Sequence, residues 1–300
     1  MSVTPFEAFV APARPFSQLW RLLLGIITIV SVFILSIMVL MGVVWAMVGG
    51  PDAILWFDRM QGAVTPTSTL LLLSSFLGLS IGAFVATRLW HKRAIATLFG
   101  PRVVVIRDFV VAALTVSAVY SVALAFWWQS NDALPNLDLN LWLSFLPLAL
   151  LGLLVQTGAE EVVFRGYMQQ QLAARFASPL VWMLVPTILF AAVHFDPASA
   201  GDNAWIVVIA AGLFGLAAAD LTARTGSLGA AWGFHFANNL LAITVLATDG
   251  TITGLSLYLT PYTADSAPTS LFVIDLVVTA AAWLACRFVL SKRKANLPAS

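Results

Sequence analysis

Two adjacent carboxylates lie in the middle of an apolar stretch that is long enough to cross a membrane. Glu160 and Glu161 begin the sequence EEVVFRGYMQ, and the hydrophobic stretch around them runs from about residue 143 to residue 176. Even on lenient insertion scales, one acid at the centre of a bilayer costs roughly 2.5–3.5 kcal/mol. Acids at this depth indicate a functional site, where a carboxylate can serve as a general base or as a metal ligand.

Only one of the two acids has a cation nearby on the same helix. Glu161 and Arg165 are spaced i,i+4, so their side chains can form an ion pair on one helix face. Glu160 points about 100° further around the helix. We therefore expect Glu161 and Arg165 to hold the site together, and Glu160 to be free for chemistry.

A histidine in the next apolar stretch is expected at the height of Glu160. The segment 177–179 reads Ala-Ser-Pro, a turn that would join the two stretches into a helical hairpin. Glu160 lies about 17 residues before this turn and His194 about 15 residues after its proline. At 1.5 Å per residue, both lie about 23–26 Å from the turn. Phe190, one helical turn before His194, is interpreted as a packing residue.

A second histidine and two amides lie in a later apolar stretch. His235 and Asn239 are one helical turn apart and share a helix face, and Asn238 lies beside them. The same stretch contains Gly229 and Gly233, a spacing that allows membrane helices to approach closely. We expect these glycines to bring this helix against the hairpin.

Membrane-spanning helices are the elements that must position these residues. The chain is 60% hydrophobic and 10% charged, whereas soluble domains are about 25% charged. Eight stretches approach the roughly 20 apolar residues that a span requires: 22–48, 67–87, 109–128, 142–171, 179–195, 204–221, 227–247 and 270–290. The sequence predicts an all-α polytopic membrane protein with an active-site cavity formed by its fourth, fifth and seventh helices.

The charges of the loops predict how these helices are oriented. With the N-terminus in the cytoplasm, every Lys and Arg except Arg59 falls on the cytoplasmic side, including Arg165 and Arg175 at the lower end of the hairpin. This bias follows the positive-inside rule. It predicts that both termini are cytoplasmic and that the protein is integral to a lipid bilayer, the cytoplasmic membrane of a bacterium. His91, which lies among basic residues, is expected to face lipid headgroups.

The chain divides into three predicted regions. Residues 1–141 contain three helices, residues 142–247 form the catalytic core, and residues 248–300 contain the last helix and a basic tail. The net charge of +1 gives no basic surface for nucleic acid. The single cysteine, Cys286, excludes an internal disulfide and a multi-cysteine metal site. The oligomeric state is not indicated by any of these features.

Three short motifs resemble those of a known family of membrane proteases. The segments EEVVFR, FAAVH and HFANN contain the patterns E-E-x-x-x-R, F-x-x-x-H and H-x-x-x-N. Their order and separation are similar to those of the CPBP family, the CAAX-protease and bacteriocin-processing intramembrane endopeptidases that are also called Abi proteins. The resemblance covers about residues 143–246, and no motif position departs from the pattern. It implies hydrolysis of a peptide bond of a membrane-associated protein or peptide.

The resemblance also implies a role for each motif residue. The implied catalytic residues are Glu160, His194, His235 and Asn239. The implied supporting residues are Glu161, Arg165, Asn238 and Phe190. In this mechanism the first two catalytic residues hold and activate the attacking water, and the other two stabilise the oxyanion.

A zinc mechanism is the alternative to this metal-free one. Glu160, His194 and His235 could form a His₂Glu site with one open coordination position. The sequence lacks the H-E-x-x-H pattern of many zinc proteases. We therefore favour a metal-free mechanism without a cofactor and keep zinc as the alternative.

Two functions of other classes remain open. A catalytically silent relative would bind partners through the same cavity, as a membrane scaffold or an immunity regulator, although the intact motif residues argue against loss of activity. A proton-coupled transporter would use Glu160 as the proton carrier. It would require further acids along a path, and the remaining ones within the spans are Asp220 and Asp275.

Overall fold

The computed structural model describes residues 3–130 and 132–295, so the end of the predicted third region, 296–300, lies outside the described residues. The helices are α1 (Pro5–Val10), α2 (Leu19–Val48), α3 (Gly50–Gly62), α4 (Pro66–Ser75), α5 (Leu77–His91), α6 (Arg102–Trp128), α7 (Leu139–Glu161), α8 (Gln170–Arg175), α9 (Pro179–Ala192), α10 (Pro197–Ala200), α11 (Ala204–Thr225), α12 (Gly229–Leu240) and α13 (Thr269–Ala295). The predicted all-α membrane fold is confirmed. The boundaries of the three predicted regions stay a prediction.

Within the described residues, six helical segments are long and apolar enough to cross a membrane. They are Leu19–Val48, Pro66–His91, Ile95–Trp128, Leu139–Arg175, Pro197–Thr225 and Thr269–Lys292. The fifth and seventh predicted spans correspond to the shorter helices α9 and α12. The 14 residues of α9 rise only about 21 Å, which is less than the roughly 30 Å of a hydrocarbon core. The count of eight spans and their orientation stay predictions.

A small sheet lies among the loops and was not anticipated from the sequence. Its strands are β1 (Leu134–Pro135), β2 (Leu246–Asp249) and β3 (Tyr258–Thr263). Their order is β1-β3-β2, with β1 antiparallel and β2 parallel to β3. The seventh predicted span therefore ends in a strand, which begins directly after a π-helical turn at Leu241–Val245.

The helix that carries the two acids widens just after them. α7 continues into a π-helical turn at Val162–Gln169 and then into α8, so one long helical segment runs from Leu139 to Arg175. Turns of this kind often occur at functional sites, because each inserts extra backbone into the helix. Arg165 therefore lies in a locally wider helix than the regular α-helix that the i,i+4 spacing assumes.

The glycines of α12 pack against α6, so the expectation that they contact the hairpin is wrong. A Cβ atom added at Gly229 would lie 2.2 Å from the carbonyl oxygen of Val105, and one added at Gly233 would lie 2.2 Å from that of Phe109. The hairpin contributes the small residue at its own contact with α12. A Cβ atom at Gly158 of α7 would lie 2.8 Å from the ring of Trp232. The close approach needs a small residue on only one side of each contact.

His91 lies inside the protein, which corrects the expectation that it faces lipid headgroups. It is 1% exposed. Its Nδ1 is 2.9 Å from the carbonyl oxygen of Phe16, and its Nε2 is 2.7 Å from the hydroxyl of Tyr167 in the π-helical turn. These hydrogen bonds tie α5 to the helical segment that carries the acids, while Gly25 of α2 leaves room for the Tyr167 hydroxyl.

Candidate active site

Glu161 is the centre of a buried polar cluster that joins three helices. Its Oε1 atom accepts hydrogen bonds from Arg165 Nη1 at 2.9 Å and from His235 Nδ1 at 2.8 Å. Arg165 Nη2 donates to the carbonyl oxygen of Gly215 at 3.0 Å. The predicted ion pair between Glu161 and Arg165 is therefore present, and it links α7 to α11 and α12.

Arg165 is an interior residue of the helix bundle, and its predicted place on the cytoplasmic side stays a prediction. Glu161 is 0% and Arg165 is 1% exposed, and the guanidinium lies 4.7 Å from the centre of the Phe190 ring. A buried ion pair repays its desolvation only when further hydrogen bonds complete it. The Gly215 carbonyl and the His235 ring complete this pair. Loop-charge counting did not anticipate this burial, because it records the sign of a charge and not its partner.

His235 is held in one orientation by its contact with Glu161. A carboxylate that is paired with Arg165 accepts hydrogen bonds, so His235 Nδ1 carries the hydrogen in this contact. The opposite ring nitrogen, Nε2, lies 3.5 Å from Glu160 Oε2 and 3.3 Å from Asn239 Nδ2. The Phe214 ring packs edge-on against the imidazole, with ring centres 5.0 Å apart. The cluster thus presents His235 Nε2 towards Glu160.

Glu160 differs from its neighbour because it lines a cavity and, among the described residues, pairs with no arginine. Its side chain is 12% exposed, and its Oε2 atom is buried and accepts no hydrogen bond from the described part of the protein. A buried acceptor without a partner costs about 1–3 kcal/mol. This oxygen is therefore available to a polar group that enters the site.

A cavity of about 240 Å³ contains all four residues that the motifs predict as catalytic. Its polar and aromatic lining includes Gln156, Glu160, Phe190, His194, Phe214, His235, Asn238, Asn239, Asp275 and Thr279. The walls come from α7, α12 and the end of α9, as expected, and also from α11 and α13. The sequence analysis did not anticipate that these last two helices contribute.

His194 lines this cavity but makes its direct contacts with Phe190. Its Nδ1 is 2.7 Å from the carbonyl oxygen of Phe190, and the two ring centres are 4.6 Å apart. Phe190 also packs edge-on against Phe164, with ring centres 5.1 Å apart. The expected packing role of Phe190 is therefore visible, and His194 and Glu160 meet as wall residues of one cavity.

The amides of the site form a short chain that includes a residue not selected from the sequence. Asn238 Nδ2 donates to Asn239 Oδ1 at 3.0 Å, and Asn239 Nδ2 donates to Gln156 Oε1 at 2.9 Å. Gln156 is one helical turn before Glu160, and this spacing could have identified it. In this arrangement both hydrogens of the Asn239 amide point to Gln156 and His235.

The two histidines have the surroundings of metal ligands, but the three candidate zinc ligands do not converge. Metal-binding histidines usually direct their second nitrogen to a carboxylate or a carbonyl oxygen, as His194 does with Phe190 and His235 with Glu161. Across the described ranges, no group of three or more His, Cys, Asp or Glu side chains is placed to hold a metal ion. As placed here, Glu160, His194 and His235 do not fit the tetrahedral zinc site.

The comparison with protein families supports the motif reading. Residues 141–241 match a family model described as "Rce1-like", the type II CAAX prenyl endopeptidase Rce1-like family. The matched segment contains every predicted catalytic and supporting residue. This match, together with the long apolar helices, identifies an integral membrane protein and supports a CAAX-type membrane protease.

A curated relative extends over most of the chain. The "Uncharacterized protein YyaK" of Bacillus subtilis (strain 168) is 25% identical over 257 residues, which cover 83% of this chain and 85% of the relative. No solved structure matches the chain significantly. The resemblance to CAAX-type proteases is confirmed: residues 141–241 form an Rce1-like region within a polytopic membrane protein.

Proposed function

We propose that the protein is an intramembrane endopeptidase in which Glu160 activates a water molecule for attack on a peptide bond. One observation carries the proposal: Glu160 has a buried, unengaged carboxylate oxygen in a cavity that also contains two histidines and two asparagines. The substrate class is a membrane-associated protein or peptide, because the cavity belongs to a helix bundle of membrane-spanning length.

In the first step Glu160 and His194 hold the water, and Glu160 removes one of its protons. The water oxygen forms a bond to the carbonyl carbon of the substrate, whose C=O oxygen becomes an oxyanion. Glu160 then returns the proton to the amide nitrogen as the C–N bond breaks. Positioned acid–base groups of this kind accelerate reactions by about 10²–10⁴-fold.

The oxyanion is stabilised by the nitrogen donors on α12. His235 and Asn239 are the donors that the resemblance implies. In the resting arrangement His235 Nε2 accepts from Asn239, whose other amide hydrogen goes to Gln156, so His235 can donate only from an Nε2 that has gained a hydrogen. Asn238 donates one amide hydrogen to Asn239, and it lines the cavity. We therefore include Asn238 in the oxyanion site. One donor of this kind contributes about 3 kcal/mol to transition-state stabilisation.

Glu161 and Arg165 position the site without touching the substrate. They fix the imidazole of His235 through its Nδ1 and anchor the π-helical turn to the Gly215 carbonyl. Metal-free catalysis is our proposal. A zinc ion would supply a polarised water if Glu160, His194 and His235 moved together to hold it.

Of the two further acids within the spans, Asp220 near the end of α11 gives the transporter alternative little support. Asp220 Oδ1 accepts a hydrogen bond from Arg224 at 2.9 Å, and Asp220 Oδ2 accepts one from Trp283 at 3.0 Å. An acid held by these partners is poorly suited to bind and release a proton in each transport cycle.

The test is peptide cleavage by the purified full-length protein and its Glu160→Gln variant in detergent. A library of quenched, leucine-rich peptides serves as the substrate. Cleavage by the wild type that falls by at least about 100-fold in Glu160→Gln supports the proposal. The control is Asp58→Asn, an exposed acid on α3. Equal cleavage by wild type and Glu160→Gln would remove Glu160 from the reaction.

A further inference from the structure

A larger cavity adjoins the Glu160 site and shares part of its wall. Its volume is about 440 Å³, compared with about 240 Å³ for the cavity that contains Glu160. Val207 of α11, Asn238 of α12 and Asp275 of α13 line both cavities. The two cavities are therefore adjacent, and together they are called the groove.

The larger cavity is mainly apolar and carries one charge. Its large apolar side chains include Leu124, Trp127, Leu241, Leu246, Leu271 and Phe272. Threonines, two tyrosines and Asn238 supply the neutral polar groups. Among the described residues that line this cavity, Asp275 is the one with a charged side chain. A bound apolar chain would thus meet a single carboxylate, at the junction with the Glu160 site.

Like Glu160, Asp275 has no Lys or Arg beside it among the described residues, in contrast to the other acids in the long helices. Asp108 pairs with Arg107, Glu161 with Arg165 and Asp220 with Arg224. Within the described ranges, Asp275 forms no ion pair, and the residue is exposed at the surface of the protein.

The helix wall around Asp275 is fixed by a neighbouring contact. One helical turn further along α13, the Thr279 hydroxyl lies 2.7 Å from the hydroxyl of Tyr120, which ties α13 to α6. An unpaired acid at membrane depth is costly, and such acids usually face a cavity and bind a partner. The cation that pairs with Asp275 is thus expected to arrive from outside the protein.

We propose that the larger cavity is a substrate subsite for the end of a membrane-spanning segment, with a Lys or Arg that pairs with Asp275. This rests on the proposed function, because it names the substrate class of the same site. Large apolar residues with a Lys or Arg near one end are typical of membrane spans, whose basic side chains lie near the helix ends. The apolar wall would hold the leucine-like side chains, and Asp275 would set the position of the cation relative to the scissile bond.

Binding tests this subsite without requiring cleavage. The protein is the full-length Glu160→Gln variant in detergent, which also removes the other unpaired carboxylate of the groove. The probes are two fluorescent peptides with the same leucine-rich segment, one with a single Lys after it and one with norleucine at that position. The Lys peptide is expected to bind about tenfold more tightly, as for a charge-assisted contact. Equal binding of the two peptides, or binding of neither, would overturn the subsite.

Substitutions then assign the preference to Asp275. Asp275→Asn should abolish the preference for the Lys peptide, and Asp275→Lys should create a preference for a Glu peptide. Asp58→Asn, the matched acid on α3, should change neither. A Lys preference that survives in Asp275→Asn would contradict the assignment, and so would one that is lost equally in Asp58→Asn.

The outcomes separate the subsite from the protease. If the wild-type protein cleaves no peptide but shows a Lys preference that depends on Asp275, the subsite is supported and the proposed protease activity is contradicted. Cleavage that depends on Glu160 but ignores the Lys supports the protease and overturns the subsite. Thermal unfolding of each variant shows that it is folded, and the wild-type comparison of Lys with norleucine needs no variant at Asp275.

Discussion

Glu160 and Glu161 are neighbours in the chain, but their carboxylates have opposite surroundings. Glu161 is fully buried and accepts hydrogen bonds from Arg165 and His235. Each carboxylate keeps one buried oxygen without a hydrogen bond from the described residues, but that of Glu160 faces a cavity. The helical rotation of about 100° between consecutive residues produces this difference. The same type of side chain thus stabilises the bundle on one face of α7 and, in the proposed mechanism, performs chemistry on the other.

The largest change in stability is expected on the buried face. Arg165→Met leaves Glu161 as a buried carboxylate without its cation, which should cost about 3–5 kcal/mol of unfolding free energy. Chemical denaturation in detergent measures this loss. Arg224→Met is the control, because its pair with Asp220 is much more exposed and should contribute less than about 1 kcal/mol. Equal losses in the two variants would show that the buried pair of Glu161 contributes no more to stability than the more exposed pair of Arg224 with Asp220.

A second substitution tests the packing of α12, the helix that carries His235. In Gly229→Ala, the new Cβ would lie 2.2 Å from the Val105 carbonyl oxygen, so α12 must shift. We expect a destabilisation of about 1–3 kcal/mol, measured by thermal unfolding. Gly42→Ala is the matched control, because nothing lies within 4 Å of its added Cβ. An unchanged Gly229→Ala protein would contradict the packing of α12 against α6.

A smaller effect is expected for the amide chain on the cavity face. Gln156→Leu removes the acceptor of the Asn239 amide, so Asn239 loses its fixed orientation. Turnover should fall by about tenfold, which corresponds to one neutral hydrogen bond. Gln129→Leu, at the exposed end of α6, is the control for the polarity change. Full activity in Gln156→Leu would place Asn239 outside the oxyanion site.

The smallest effect is expected from removal of metal. Because the three candidate ligands do not converge among the described residues, we expect a chelator to leave cleavage unchanged. Elemental analysis of the same protein should find zinc below one ion per molecule. Stoichiometric zinc that is lost together with activity in His194→Ala and His235→Ala would make Glu160 a ligand and not the base.

The features that the sequence predicted well are those that depend on neighbouring positions in the chain. Hydropathy located the long helices, because each such helix must be apolar along its own length. The i,i+4 spacing predicted the pair of Glu161 with Arg165, because both residues share one helix. The distances from the turn at 177–179 correctly brought Glu160 and His194 to one cavity.

The features that the sequence missed depend on contacts between distant segments. His91 is bonded to Tyr167, which is 76 positions away, and its basic neighbours in sequence concealed this contact. The glycines of α12 indicated a close approach but not which helix approaches. Asp275 was recognised as an acid within a span, and only the packing of α13 shows that it lines the same cavity as Glu160.

The most direct measurement compares Glu160→Gln with Glu161→Gln in parallel, with cleavage rate and thermal unfolding recorded on the same samples. The contrast between the two faces of α7 predicts that Glu160→Gln unfolds at the same temperature as the wild type. Its cleavage rate should be lower by at least about 100-fold. It predicts that Glu161→Gln unfolds at a clearly lower temperature and keeps more activity per folded molecule. A stable but inactive Glu161→Gln beside an active Glu160→Gln would exchange the two roles and contradict the proposed mechanism.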